Sequence, residues 1–98
     1  MDIKFLEIAE IELDEAIAFY NYQLVGLGEQ FLTEVLDTIE RIRTFPKAWR
    51  LCSSNMRQCR MKRFPYKIIY QVINDEILIV AIAHFHREPN YWKNRILH

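Results

Sequence analysis

The apolar positions of this chain change period twice, from alternating to helical and back, and each change bounds a group of elements. Residues 3–8, IKFLEI, alternate loosely, with Ile3 and Phe5 on one face, which predicts a short strand. From about Glu10 the spacing becomes helical. Leu13, Ala16, Ile17, Tyr20 and Leu24 fall at i, i+3, i+4, i+7 and i+11, one stripe of an amphipathic helix. Glu12, Asp14 and Glu15 occupy its opening turns, where carboxylates suit the helix dipole. Gly26 and Gly28 permit a tight reversal. A second helix is predicted over about Glu29–Thr44, with Phe31, Val35, Ile39 and Ile42 as its stripe, widened by Leu32 and Leu36, and with Pro46 as its stop.

After an irregular stretch, KAWRLCSSN (47–55), the period falls to two. Three strands are predicted at about 57–63, 66–73 and 76–85, with Asn74-Asp75 as a tight hairpin turn and Pro65 interrupting the ladder. Ile77 to Ala83 are all apolar, as in a central strand covered on both faces. The order β-α-α-β-β-β implies a single α+β domain over residues 1–98. In it a helical hairpin packs on one face of a small, mostly antiparallel four-stranded sheet and leaves the other face free to work.

Composition narrows the class. The chain has 98 residues, 51% of them hydrophobic, and so suits one small core. The opening MDIKFLEIAEIELDE lacks the basic and uninterrupted apolar regions of a secretory signal, and no apolar run approaches the roughly 20 residues of a membrane helix. Cys52 and Cys59 have no zinc spacing and suit two reduced thiols in a cytoplasmic protein. No cofactor motif is present. A net charge of zero conceals asymmetry: residues 1–40 sum to −9 and residues 41–98 to +9. A basic surface for an anionic partner explains this, and so does neutralisation of one half by the other inside the fold.

Two segments carry candidate chemistry. RQCRMKRFPYK (57–67) holds Arg57, Arg60, Lys62, Arg63 and Lys67 without an acid, and on one strand Arg60 and Lys62 would share a face. Such cations suit phosphate or an acidic protein segment; an edge strand charged against aggregation is the plainer explanation. AHFHREPNYW (83–92) holds His84, His86, Arg87, Tyr91 and Trp92. His84 and His86 would share a side but lack a third metal ligand, so no metal is expected. Trp92 reads mainly as an anchor for the terminus.

Leu13, Glu15-Ala16 and Phe19-Tyr20, then Phe31, Ile39 and Pro46, then RFPYKIIYQV (63–72), EILIVAIAH (76–84) and HREPNYWKNR (86–95) together resemble the RelE/ParE toxins of bacterial type II toxin–antitoxin systems, the plasmid-stabilisation type. The resemblance spans nearly the whole chain. It implies a cytoplasmic toxin that binds an antitoxin encoded by the adjacent gene in a hetero-oligomeric complex, over its helices and sheet. One branch of the family cuts mRNA on the ribosome as an endoribonuclease; another poisons DNA gyrase. By motif position, Arg60, Lys67 and Arg87 match the basic residues of the cutting branch, and Tyr91 lies near its catalytic tyrosine. Arg57, Lys62, Arg63 and His84 are then expected to contact nucleic acid or antitoxin. This sequence departs from the branch at Gln58, where a base is usual, and at Tyr91, which is out of strict register. The resemblance leans toward RNA cleavage, with gyrase inhibition or an inert antitoxin-binding homologue as alternatives.

Overall fold

The computed structural model describes residues 1–96. Strand β1 (Asp2–Phe5) leads into helix α1 (Glu7–Gln23), then α2 (Leu27–Thr44), β2 (Arg50–Leu51), β3 (Arg57–Arg60), β4 (Tyr66–Ile73) and β5 (Glu76–His84). The sheet runs β1-β5-β4-β3-β2, with β1 parallel to β5 and every other pairing antiparallel. It has five strands rather than four. The extra strand, β2, is only two residues long, too short to leave a periodic trace. It lies in the stretch whose pattern reads as irregular.

The helices begin earlier than their stripes suggest. α1 starts at Glu7, and Ala9 is fully buried in its first turn. The hairpin closes through Gly26, whose φ of +91° favours glycine. The next glycine serves close packing: a Cβ at Gly28 would collide with the Ile17 carbonyl oxygen, and its N–H donates to Asn21 Oδ1 at 2.8 Å. Phe31, Val35, Ile39 and Ile42 are buried as their spacing predicts. Leu24 and Leu36 are not. Leu24 caps α1 in extended backbone, so it leaves the stripe, and both residues are exposed.

Asn74 and Asp75 both take positive φ, the geometry of the two-residue hairpin turn expected between β4 and β5. β5 lies between two strands and is covered on both faces. Ile68, Tyr70, Ile77, Ile79 and Ile82 join the core under the helices. Ile69, Val80, Ala81 and Ala83 face a smaller cluster with Met56 and Trp92. The second face of the sheet is therefore not wholly free. The segment after β5 folds back over it, and Trp92 is buried there as an anchor.

Candidate functional site

Alternation along the strands sorts the basic residues onto opposite faces. Arg60 of β3 lies directly opposite Lys67 of β4, and Gln58 lies opposite Arg50 of β2. These four share the face away from the helices. Arg50, Gln58, Arg60, Lys67, Asn90 and Trp92 line a hollow of about 380 Å³ without a carboxylate. The Arg60 guanidinium lies 4.6 Å from the centre of the Phe85 ring, and the Lys67 ammonium 5.3 Å from that of Trp92. Among the described residues neither cation pairs with an acid. Like charges directly opposite in a sheet destabilise it, so this pair favours an arriving anion.

The other expected site residues lie elsewhere. Arg57 pairs with Tyr70 on the helix-side face, and its Nη1 donates to the Trp49 carbonyl at 2.8 Å. Lys62 does not share a face with Arg60. β3 ends at Arg60, and the loop before Pro65 carries Lys62 and Arg63 to a separate hollow of about 630 Å³ beside α2. There the backbone N–H of Arg63 donates to Glu34 at 2.6 Å and its Nε at 2.9 Å. Burial opposes ionisation of Glu34, but the hydrogen bonds and charge of Arg63, with help from the Lys62 backbone, outweigh it and hold the carboxyl below its usual range.

His84 sits opposite Tyr66 on the helix-side face, ring to ring at 5.0 Å. Burial and the neighbouring His86 push its pKa down, and its Nδ1 accepts from the His86 N–H at 3.0 Å. His84 and Arg87 line a third hollow, of about 260 Å³, with Glu12, Glu15 and Tyr66. Arg87 stacks over the Tyr91 ring at 3.9 Å. The residues matched to the cutting branch are thus divided. Arg60 and Lys67 line one hollow, and Arg87 lines another.

Tyr91 is held by a residue the sequence did not flag. Glu12 accepts the Tyr91 hydroxyl at 2.7 Å, both terminal nitrogens of Arg95 at 2.8 Å, and the Ile82 N–H at 3.1 Å. Arg95 also donates to the Val80 carbonyl at 3.0 Å. Val80 is the extra residue of a bulge, since Ile69 pairs with Ala81 and Tyr70 with Ile79. Beyond the end of β1, side chains thus satisfy backbone groups of β5. Burial, then the hydrogen bond and charge of Glu12, push the Tyr91 pKa up, while the bond to Glu12 raises that of Arg95. The one available signal for Glu12 was its position: a carboxylate four residues before Ala16, on the edge of the buried stripe.

Among the described residues no three His, Cys, Asp or Glu side chains group to hold a metal ion. None of the described helices is long and apolar enough to cross a membrane. A family model described as the ParE toxin of the type II toxin–antitoxin system parDE matches residues 3–89. No curated protein matches the chain. Among solved structures, a chain of the chromosomal ParDE toxin–antitoxin system from P. aeruginosa superposes with a TM-score of 0.64 at 21% identity, covering 86% of this chain and 95% of that one.

Proposed function

The chain belongs to the ParE toxin family of type II toxin–antitoxin systems, and from that premise we propose that it arrests growth by occupying DNA gyrase, held in check by a cognate antitoxin, rather than by cutting RNA. The observation that carries this reading is that Arg60 and Lys67 line one hollow while Arg87, stacked on Tyr91, lines another. Attack of a ribose 2′-oxygen on the adjacent phosphate needs a base, an acid and charge stabilisation within hydrogen-bond reach of one phosphate. Here the phenolic proton is committed to Glu12, and burial makes it harder to release. The cations facing the open side then supply charge complementarity, which speeds encounter and orients docking on an anionic surface.

One observation favours RNA cleavage as a second reading. Arg60 and Lys67 lie side by side with no acid between them, as charge stabilisation on a phosphoryl group requires. Induced expression in a bacterial host separates the two. Gyrase poisoning produces double-strand DNA breaks and an SOS response while translated messages stay intact. Rapid cleavage of translated messages with intact DNA would overturn the proposal. In that case Arg87→Ala should abolish toxicity. On the gyrase reading that variant loses only whatever docking Arg87 contributes. The product of the adjacent open reading frame should restore growth in either case.

A further inference from the structure

The hollow beside α2 shares no residue with the open-face hollow of Arg60 and Lys67 or with that of Arg87, and it is the largest of the three, at about 630 Å³. Small-ligand sites commonly enclose about 300–1,000 Å³. Its back wall is fully bonded. Glu34 accepts from Arg63, and the Trp49 indole N–H donates to the Arg41 carbonyl at 3.3 Å. The Arg41 guanidinium donates to the Thr38 hydroxyl at 3.0 Å and lies 5.7 Å from the centre of the Trp49 ring. Arg41 and Arg63 are thus engaged with the protein itself.

The groups left over on the rim favour one kind of visitor. Asp37 and Glu40 stand exposed, three residues apart on α2. Among the described residues Asp37 makes no ion pair, and Glu40 meets only Arg43 at 3.6 Å, with both side chains well exposed. α2 ends at Thr44, so the negative end of its dipole lies at the same hollow. Phe45 presents a ring that is 64% exposed, beside the partly buried Trp49. Against these stands one lysine, Lys62, which has no acid partner among the described residues. Two carboxylates and a helix C-terminus outweigh that single charge and favour a cation. An open aromatic ring favours a cation with an apolar body. Residues three apart on a helix face hold their Cβ atoms about 5–6 Å apart. Two ammonium groups joined by three or four methylenes are separated by about the same distance.

We propose that this hollow binds a small aliphatic diamine or polyamine, with ammonium groups on Asp37 and Glu40 and methylenes over Phe45 and Trp49. Lys62 limits the affinity by opposing the same charge. This inference is independent of whether gyrase or mRNA is the target.

The test titrates the isotopically labelled full chain with diaminobutane at low salt and follows amide and indole N–H signals by NMR. The Trp49 indole and the amides around Asp37 and Glu40 should shift, while the Trp92 indole, on the other face of the sheet, should not. Butylamine, with the same methylenes and one charge, should bind at least about threefold more weakly. Asp37→Asn and Phe45→Ala should each weaken the diamine by about threefold. Lys62→Gln should strengthen it, and Glu10→Gln, an equal charge change on α1, should leave it unaltered. These side chains are exposed, and thermal melts of the variants should overlay the parent. Equal binding of the two amines, or equal weakening by Glu10→Gln and Asp37→Asn, would reduce the effect to diffuse attraction and overturn the proposal. Weaker binding in Lys62→Gln, or shifts that leave the Trp49 indole in place, would overturn it too.

Discussion

Two clusters of charge lie on this small fold, and they differ in whether an acid stands among the cations. At the end of β1, Glu12, Tyr91 and Arg95 satisfy one another, and both ion-pair side chains are nearly buried, at 11% and 13% exposure. On the open face, Arg50, Arg60 and Lys67 crowd together with no acid among them. The first cluster has spent its hydrogen-bonding capacity on holding the chain in place. The second has kept its charge available to solvent or a partner. Arginine stands in both clusters, and its role in each is set by whether a carboxylate lies beside it.

The largest effect should come from Glu12→Ala. It leaves Arg95 buried without a counter-charge, and it strips partners from the Tyr91 hydroxyl and the Ile82 amide. Breaking a buried pair from one side costs about 3–5 kcal/mol, measurable by urea denaturation. Joint replacement, Glu12→Leu with Arg95→Met, sharpens the comparison. It removes both charges at once and should cost clearly less than Glu12→Ala. An equal cost would mean the ion pair is not what holds the segment.

Next in size is the alkaline limb of stability. Tyr91 has its pKa raised above the ordinary 10.0, first by burial and then by Glu12. The unfolded chain ionises near 10, so the folded state's advantage is complete below that pH and is lost as pH rises from there toward the folded value. Tyr91→Phe should cost about 1 kcal/mol at neutral pH, as for the loss of one hydrogen bond. It should also flatten the fall above pH 10 in pH-dependent melts. Glu34 gives the opposite sign on the acid side. Its depressed pKa contributes stability above the ordinary carboxylate value of 4.5, which is lost as pH falls through the lower folded value. Glu34→Gln should therefore weaken the acid-side dependence.

The smallest stability effect belongs to the open face. Lys67→Gln relieves a like-charge pair with Arg60 and should change stability by no more than about 0.5 kcal/mol, toward the stable side. The same variant should reduce growth arrest if this face docks the target. A Lys67 variant that unfolds, or a Glu12→Ala variant as stable as the parent, would erase the distinction between the two clusters.

Much of the fold was legible because burial and secondary structure share a period. The α2 stripe predicted its core residues, the positive-φ pair Asn74-Asp75 closed the hairpin where the pattern demanded, and the apolar run 77–83 became the doubly covered strand. The site was less legible. Arg60 and Lys62 looked equivalent under a strict alternation that stops when β3 ends at Arg60. Glu12 looked like one more carboxylate favouring a helix N-terminus, because nothing local shows that Arg95, 83 residues away, will reach it. The division of the chain into acidic and basic halves was visible. Part of it is used internally, since Glu12–Arg95 and Glu34–Arg63 each join one half to the other.

Periodicity and turn chemistry along the chain by themselves determined the elements, their order and the apolar faces, since these follow from interactions within a few residues. The tertiary structure alone decided which charges are spent and which remain available. A side chain's partners come from distant strands and helix faces, and only packing sets the distances at which hydrogen bonds and charges act.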